Sequence, residues 1–328
     1  MNIIFTGGFG FTGSGAVLDL LREVENIHVM NNEFRVIVDP DGLLSLRRNI
    51  TKYWSIYNSD IAIKRFMKII DSTKSLSLGP YTFLNHSKEF NNEYKNISNQ
   101  FIQSLIKLRY KGYWFGNDNM ILRIFNHRYL PNLLKSKYFR KKMYLIPRIS
   151  QTKFDKIARR YIYSLINSIT DKDCFCFDEG FIGLYIDELL EILPDCKIII
   201  IVRDPKDVIA TTKYVGWKAN PINVFRKADW LFETYSYWVE YLCKQKFYDN
   251  QNVKIIKFED LIIDYNCSKD ELFNHLNISV EKHKNMKKYL NPELSKVNVG
   301  IWKNILTHEE SIYIDKKFKE FNLMYEYL

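Results

Sequence analysis

An apolar strand, a glycine-rich turn and an amphipathic helix follow one another within residues 2–21, and this order constrains the fold strongly. The strand is predicted over Ile3 to Phe5. The helix is predicted because apolar residues recur at the spacing of one helical face: Val17, Leu20, Leu21 and Val24. Glycines in the turn let the backbone approach a ligand closely: Gly7, Gly8, Gly10 and Gly13. Because the first N–H groups of a helix lack partners and carry the positive end of its dipole, the sequence predicts a site for a phosphate-bearing ligand.

The composition of the 328 residues is that of a globular protein, with 46% hydrophobic and 26% charged residues. Lys and Arg outnumber Asp and Glu by 48 to 38, and the net charge of +10 favours an anionic ligand or acceptor, although a basic surface alone also fits. The basic residues are spread out, which disfavours nucleic acid as a partner. The five cysteines are spaced for neither disulfides nor zinc. The N-terminus lacks a basic leader and no apolar run is long enough to span a membrane, so we expect a cytoplasmic protein.

Strand patterns separated by helical patterns predict an α/β fold. Further strands are predicted at Phe34 to Val38, Cys174 to Phe177, Lys197 to Val202 and Val253 to Phe258. The unbroken run Ile198 to Val202 is typical of a parallel strand that is covered on both faces. We therefore predict one domain over residues 1–328, with a three-layer, mostly parallel sheet and helices on both faces. Helical periodicity between about 43 and 170 predicts an acceptor-side insertion with an aromatic cluster that fits either a sugar or core packing: Tyr110, Tyr113, Trp114 and Phe115.

The glycine-rich turn fits two kinds of nucleotide site. Gly8, Gly10 and Gly13 have the spacing of the dinucleotide loop of extended short-chain dehydrogenases, which makes an NAD(P)-dependent dehydrogenase or epimerase the alternative. That alternative needs an acidic residue after the second strand, where Asp39 is available. It also needs a Tyr-x-x-x-Lys pair, and two occur: Tyr138 with Lys142, and Tyr214 with Lys218.

A second segment places a cation where α/β sheets bind ligands. Arg203 directly follows the run Ile198 to Val202, and ligands lie at the carboxyl ends of parallel strands. Asp204 fits a helix N-cap and Pro205 the first helical position, so that a helix carries Thr211 about two turns on. Arg203 offers a planar fork for a phosphate and Thr211 offers a hydroxyl. The alternative is a structural ion pair of Arg203 with Asp204 or Asp207.

Four separated pieces of the chain resemble sulfotransferases of the P-loop superfamily that use 3′-phosphoadenosine-5′-phosphosulfate (PAPS), in particular the bacterial, carbohydrate-type members. Phe11 to Gly15 resembles the 5′-phosphosulfate loop, and Arg203 followed eight residues later by Thr211 resembles the 3′-phosphate motif. Lys257 to Leu261 is similar to the strand and turn found further along in that family. Lys296 to Lys303 is similar to the late Gly-x-Trp-Lys loop that folds over the nucleotide.

The resemblance implies a P-loop-like sulfotransferase fold, PAPS as the donor, no metal, and a set of residue roles. Phe11 heads the cofactor loop, and the 5′-phosphosulfate is held by Thr12, Gly13, Ser14 and Gly15. The 3′-phosphate is held by Arg203 and Thr211. Further cofactor contacts are assigned to Lys296, Trp302 and Lys303.

The resemblance also implies a catalytic pair and an acceptor. Glu33 is the expected base, since carbohydrate- and tyrosine-modifying members have a glutamate in this kind of position, and Arg35 neutralises charge or binds an acidic acceptor. His28 and His86 are the fallback bases. The expected acceptor is a hydroxyl on a carbohydrate or glycolipid.

One position departs from the family pattern. The family's Lys or Arg at the head of the 5′ loop is Phe11 in this chain. Another cation must then reach the same oxygen, and the candidates are Lys218, Lys296 and Lys303. Otherwise the chain is a nucleotide-binding homologue without catalytic activity.

Overall fold

The computed structural model describes residues 1–73, 86–112, 141–216, 222, 229–245 and 250–327. Strands in this part of the chain form a five-stranded sheet and a separate two-stranded antiparallel sheet. Their bounds are β1 (Asn2–Gly8), β2 (Ile27–Val29), β3 (Leu108–Gly112), β4 (Lys141–Leu145), β5 (Cys174–Asp178), β6 (Lys197–Val202) and β7 (Val253–Lys257). The larger sheet has the order β2-β5-β1-β6-β7, and every pairing in it is parallel.

The described α-helices follow the strands in βα succession or belong to the segment between β2 and β5. Their bounds are α1 (Ser14–Arg22), α2 (Leu43–Ile50), α3 (Ile56–Thr73), α4 (His86–Glu89), α5 (Tyr94–Leu105), α6 (Gln151–Asn167), α7 (Ile186–Ile192), α8 (Pro205–Tyr214), α9 (Trp230–Gln245), α10 (Phe258–Ile263), α11 (Tyr265–Leu276), α12 (Pro292–Ser295), α13 (Trp302–Ile305), α14 (His308–Lys317) and α15 (Lys319–Tyr327). None of the described helices is both long and apolar enough to cross a membrane.

Apolar side chains pack on both faces of the parallel sheet. On one face, Ile199 and Ile201 of β6 join a buried cluster that includes Val17 of α1. On the other face, Ile200 approaches Gly183, which also lies against Trp238 of α9. Successive residues of β6 are therefore buried in opposite directions, which explains its unbroken apolar sequence. The prediction of a mostly parallel sheet with helices on both faces is confirmed.

The chain divides into two compact units, one of residues 1–35 and 170–328 and one of residues 36–169. The first unit contains the parallel sheet. The second contains α2 to α6 and the antiparallel pair of β3 and β4, and it has its own buried polar contact, in which Arg47 of α2 donates two hydrogen bonds to Asp155 of α6 at 2.6 and 2.8 Å. The description as one domain with an insertion at 43–170 stays a prediction.

The predicted strand at Phe34 to Val38 is wrong, because these residues form turns. Phe34, Val36 and Ile37 are nevertheless buried, so the apolar run reflects burial and not strand pairing. The second strand of the sheet is instead the three-residue β2, which lies at its edge. Other predicted strands are confirmed in β1, β5, β6 and β7.

The strand order contradicts the dehydrogenase alternative. In the dinucleotide fold, the second strand of the sheet lies beside the first, and its terminal carboxylate thereby reaches the ribose. In this sheet β5 separates β1 from β2. Asp39 lies in the turn region that follows, with no strand before it that pairs with β1. The geometry required for dinucleotide binding is therefore not present in the described sheet.

Candidate functional site

The loop between β1 and α1 is closed by its own hydrogen bonds. The backbone N–H and the hydroxyl of Thr12 both donate to the carbonyl oxygen of Phe9, at 3.2 and 2.7 Å. Gly13 caps α1 with φ +99°, and Phe11 has φ +68°. Left-handed backbone suits glycine and is uncommon for a phenylalanine, so the loop holds Phe11 in a conformation that the surrounding contacts must maintain. The predicted loop and helix start are confirmed at Gly13 and Ser14.

Glycines in the loop serve two different purposes. A β-carbon at Gly13 would lie 2.4 Å from the ring of Phe258, so that this glycine allows β7 and α10 to pack against the loop. A β-carbon at Gly10 or Gly15 would meet nothing within 4 Å. These two positions face open space beside the first turn of α1, where N–H groups lack intrahelical partners. The loop can therefore approach an anion at this end of the helix.

Arg203 links the glycine loop to the strand end that follows β6. Its Nη1 donates to the carbonyl oxygen of Phe11 at 3.0 Å and to the hydroxyl of Thr211 at 3.2 Å. Its Nη2 donates to the carbonyl oxygen of Asn298. The side chain is 4% exposed, and within the described residues its Nε has no hydrogen-bond partner. The structure thus brings Arg203, Thr211 and the loop together.

The expected helix start after Arg203 is also present. The side chain of Asp204 accepts a hydrogen bond from the N–H of Lys206 at 2.8 Å, and Pro205 begins α8. Arg203 additionally lies 3.9 Å from Asp207. The guanidinium therefore contacts both the carboxylate of Asp207 and the glycine loop. An ion pair within the fold and a place in the candidate phosphate site are thus compatible for Arg203.

The segment Lys257 to Leu261 contacts the site through two neighbouring residues. The ring of Phe258 lies 4.9 Å from the guanidinium carbon of Arg203. The carboxylate of Glu259 accepts hydrogen bonds from the N–H of Asp204 at 3.1 Å and from the hydroxyl of Tyr325. Burial raises the pKa of both carboxyl groups, that of Asp204 to about 6. This segment therefore supports the strand end that carries Arg203.

A buried carboxylate on α8 holds the late loop in place. Asp207 is 1% exposed, and its two oxygens accept hydrogen bonds from the N–H groups of Gly300 at 2.7 Å and Trp302 at 3.0 Å. The ring of Trp302 lies 4.4 Å from Nζ of Lys206 and 5.9 Å from Nζ of Lys303. The late loop therefore lies beside Arg203, as its resemblance to a nucleotide-covering loop implies.

The lysines named as replacements for the missing loop cation have other surroundings. Lys296 is about half exposed and pairs with both oxygens of Glu293, at 2.9 and 2.8 Å. Lys303 is exposed beside the ring of Trp302. Lys218 lies outside the described residues. Arg203, by contrast, donates a hydrogen bond directly to the backbone of Phe11.

Glu33 lies next to the base of the glycine loop. Its Oε1 accepts a hydrogen bond from the N–H of Gly180 at 3.2 Å, and the carbonyl oxygen of Gly180 accepts one from the N–H of Gly8 at 2.9 Å. A β-carbon at Gly180 would lie 2.4 Å from the Glu33 carboxylate, so a glycine is needed there. Arg35 approaches the same carboxylate at 3.6 Å. Glu33 and Arg35 thus form a partly exposed ion pair beside the loop, in a turn and not on the predicted strand.

A second carboxyl group at this edge was not identified from the sequence. Asp178 ends β5, pairs in register with Thr6 of β1, and its carbonyl oxygen accepts a hydrogen bond from the N–H of Phe34 at 2.7 Å. Burial, followed by the nearby charge of Glu33, raises the pKa of Asp178 to about 7, against the opposing effect of Arg22. Asp178 could have been identified from the sequence, because Cys174 to Phe177 is recognisable as a strand and Asp178 directly follows it, at the end where ligands of parallel sheets lie.

The fallback bases lie in apolar surroundings. The ring of His28 stacks on that of Phe175 at 5.3 Å, within the sheet. His86 is buried in the helical unit against Phe90 and Tyr94, and burial lowers its pKa to about 4. Of the aromatic cluster, Tyr110 lies on β3, while Tyr113, Trp114 and Phe115 lie outside the described residues, as does Tyr138. Within the described ranges, no group of three or more His, Cys, Asp or Glu residues is placed to hold a metal ion.

Comparisons with known proteins give a family. A model described as "Sulfotransferase family" matches residues 4–282. A search of curated proteins finds no match.

Solved structures similar to the chain include three sulfotransferases. Sulfotransferase STF9 from Mycobacterium avium has 11% identity and a TM-score of 0.44, over 98% of this chain and 75% of that chain. The sulfotransferase domain of the Synechococcus PCC 7002 olefin synthase has 13% identity and a TM-score of 0.43, over 97% of this chain and 94% of that chain. Mouse sulfotransferase SULT7A1, solved in complex with PAP, has 21% identity and a TM-score of 0.33, over 48% of this chain and 70% of that chain. Because the family model spans most of its length, the protein is an enzyme of the sulfotransferase family.

Proposed function

We propose that the protein transfers a sulfuryl group from PAPS to an acceptor hydroxyl on a carbohydrate or a glycolipid. The observation that carries the proposal is the hydrogen bond from Arg203 to the carbonyl oxygen of Phe11. It joins the glycine loop to the neighbouring strand end, and ligands of open α/β sheets lie at such carboxyl ends. A nucleotide with phosphate groups at both ends needs anion-binding groups at two adjacent strand ends, and this contact brings them together.

The residues present fit such a nucleotide. Arg203 has a buried Nε without a hydrogen-bond partner among the described residues, and a phosphate oxygen would satisfy it. Gly10 and Gly15 face open space beside the start of α1, a helix of nine residues. A phosphate there would accept hydrogen bonds from the N–H groups at the start of α1, before Ala16, whose N–H already donates to Gly13, and would interact favourably with the helix dipole.

The proposed roles follow from these contacts. Thr12, Gly13, Ser14 and Gly15 bind the 5′-phosphosulfate through the loop and the first turn of α1. Arg203 and Thr211 bind the 3′-phosphate, and the contact of Arg203 with the loop extends its charge toward the 5′ end. The ring of Trp302 contributes a flat surface beside this site. Lys296 and Lys303 would then contact the nucleotide from the periphery of the site, since neither contacts Arg203 in the described structure.

PAPS supplies the sulfuryl group together with a phosphate leaving group. Glu33 takes the proton of the acceptor hydroxyl at its Oε atoms, and Gly180 fixes the orientation of that carboxylate. Arg35 balances the charge of Glu33 and is available to an acidic acceptor. Positioning and electrostatic stabilisation are the main requirements for transfer of such a group, as in phosphoryl transfer.

A carbohydrate or glycolipid acceptor is favoured by the resemblance of Glu33 to the glutamate of carbohydrate-modifying sulfotransferases, a resemblance that tyrosine-modifying members share. The excess of 48 Lys and Arg over 38 Asp and Glu also suits an acidic saccharide. The test is an acceptor panel that contains neutral saccharides, acidic saccharides and glycolipids, with release of adenosine 3′,5′-bisphosphate as the readout. Transfer only to non-carbohydrate hydroxyls would refute this part of the proposal.

The donor is tested by thermal unfolding. PAPS and adenosine 3′,5′-bisphosphate should raise the melting temperature, because a ligand that binds the folded state stabilises it, whereas NAD(H) and NADP(H) should not. A shift with a nicotinamide nucleotide alone would refute the donor assignment. Binding of PAPS without turnover on any acceptor would instead indicate the non-catalytic alternative.

A further inference from the structure

The chain displays an unusual surface that precedes the late loop and includes its first two residues. Within residues 280–297, which we term the lysine-rich segment, five apolar side chains are exposed by 56%, 68%, 48%, 73% and 73%: Val280, Met286, Tyr289, Leu294 and Val297. Leu294 and Val297 are three residues apart across α12 and the following turn of 3₁₀-helix, and therefore lie on one side of it. Single exposed apolar residues need no explanation, but five within 18 residues of sequence are an unusual concentration, of the kind that marks an interaction surface.

The same segment is strongly basic. It contains five exposed lysines: Lys282, Lys284, Lys287, Lys288 and Lys296. Its acidic residues are Glu281 and Glu293, and Glu293 is already paired with Lys296. Four lysines therefore remain against one glutamate. Exposed apolar residues flank the lysines in the sequence, with Met286 before and Tyr289 after the pair Lys287 and Lys288.

A buried carboxylate fixes the backbone of the segment, so that the exposed residues are held outward. Glu23, which follows α1 and is 0% exposed, accepts hydrogen bonds from the N–H groups of Lys287, Tyr289 and Leu290 at 3.1, 2.9 and 2.9 Å. Its carboxylate also bonds to the ring of buried His283 at 2.7 Å. These hydrogen bonds to one carboxylate anchor residues 283–290 at both ends. The exposure of Met286 between them is thus a consequence of a defined backbone path.

We infer that the lysine-rich segment docks the protein on the surface of an anionic phospholipid bilayer. Lysines next to a membrane are attracted to anionic headgroups, and exposed apolar side chains between them enter the boundary of headgroups and acyl chains. An acidic protein surface would match the charges, but it would leave the highly exposed Met286, Leu294 and Val297 without a reason to project among the lysines. The residue that follows the segment, Asn298, accepts a hydrogen bond from Arg203 at its carbonyl oxygen, so docking would place the late loop near the bilayer.

The inference is tested by co-sedimentation of the full chain with vesicles that contain no glycolipid and with no nucleotide present. The proposed transfer reaction can therefore fail while this inference holds, and the reverse is also possible. We expect binding to an equal mixture of phosphatidylcholine and phosphatidylglycerol at low salt, weakening at high salt, and little binding to phosphatidylcholine alone. Equal binding to both vesicle types, or none to either, would overturn the inference.

Two variants separate the contributions of charge and apolar contact. A charge variant replaces three lysines: Lys284→Gln, Lys287→Gln and Lys288→Gln. An apolar variant replaces three exposed side chains: Met286→Ser, Leu294→Ser and Val297→Ser. Each should weaken partitioning onto the mixed vesicles by about tenfold or more. Unchanged partitioning of either variant would overturn the inference. For the charge variant it would mean that these lysines do not bind the headgroups, and for the apolar variant it would mean that adsorption is purely electrostatic.

Matched controls remove the same charge or a comparable apolar side chain elsewhere. The charge control carries three changes on α6: Lys153→Gln, Lys156→Gln and Arg160→Gln. The apolar control also carries three changes, Ile263→Ser, Ile312→Ser and Leu323→Ser, at side chains that are 64%, 55% and 51% exposed on α10, α14 and α15. Both controls should bind as the unaltered protein does. If the charge control partitioned onto the mixed vesicles as weakly as the lysine variant, binding would depend on net charge alone and the inference would be overturned. All substituted side chains are partly or fully exposed, so melting curves should confirm that each variant is folded.

Discussion

Replacement of Arg203 by lysine tests the site most directly, because it retains the positive charge and removes the planar guanidinium with its several N–H donors. The guanidinium donates to three acceptors in the structure, the carbonyl oxygens of Phe11 and Asn298 and the hydroxyl of Thr211. A lysine ammonium is a single point on a flexible stem and cannot maintain this planar arrangement. Arg203→Lys should therefore lower the affinity for a phosphate and also remove hydrogen bonds to the glycine loop and the late loop.

The expected size follows from the hydrogen bonds that the substitution removes. A charge-assisted hydrogen bond to a phosphate contributes about 1–3 kcal/mol, so the affinity for adenosine 3′,5′-bisphosphate should fall about 5- to 150-fold. A buried carbonyl left without its donor costs about 1–3 kcal/mol of folding stability. Isothermal titration calorimetry gives the affinity, and urea unfolding followed by circular dichroism gives the stability.

The matched control is Arg65→Lys. Arg65 is 59% exposed and pairs with Asp41 at 3.5 Å, so the same chemical change there should alter affinity and stability little. If Arg203→Lys bound adenosine 3′,5′-bisphosphate within about twofold of the original protein, against the expected loss, Arg203 would not be a phosphate ligand.

Four further outcomes are expected. Glu33→Gln should preserve nucleotide binding by calorimetry and abolish turnover, and persistent turnover would exclude Glu33 as the base. Phe11→Lys should raise kcat by about tenfold or more, since it restores a cation at the head of the loop at a residue that keeps φ +68°; a lower kcat would contradict this role. Asp207→Asn should cost about 1–3 kcal/mol in urea unfolding, because Gly300 and Trp302 donate to different carboxylate oxygens and one of these becomes an NH2 donor in asparagine; an unchanged midpoint would contradict it. Asp178 holds its proton more tightly when folded, with a pKa of about 7, so stability should fall as the pH rises from about 4 to about 7 and then level off, and Asp178→Asn should reduce that fall. An identical pH profile in the variant would assign the fall to other groups.

Local patterns predicted the elements whose sequence and environment agree. β6 was predicted because its residues are apolar on both faces, and α8 because Asp204 and Pro205 fit its start. The strand at Phe34 to Val38 failed because burial in a turn and burial in a strand give the same short apolar run. β2 is only three residues long and lies at the sheet edge, so its sequence carried too little pattern to detect.

The candidate site was predictable where it depends on residue type and unpredictable where it depends on distant contacts. Arg203 and the loop were identified from their positions at strand ends. The carbonyl oxygen of Asn298 was not identified as a partner of Arg203, and Asp207 was named only as an ion-pair partner of that arginine and not as the group that holds the late loop, because backbone acceptors and donors have no sequence signal. The ring of Phe258 likewise meets Arg203 only once β7 is aligned beside β6.

Arg203 and Asp207 couple two loops that are far apart in sequence. The guanidinium donates to Phe11 in the first loop and to Asn298 in the late loop, while Asp207 one turn further on accepts from Gly300. A phosphate that binds Arg203 at more than its unpartnered Nε must share or replace these acceptors, because the guanidinium is almost fully buried and both Nη atoms already donate to them. Anion binding and the position of the late loop are therefore linked. A ligand can shift the equilibrium between two positions of this loop only as far as its affinities for the two positions differ. Hydrogen exchange at the late-loop amides should consequently change on nucleotide binding, and those held by Asp207 should change least.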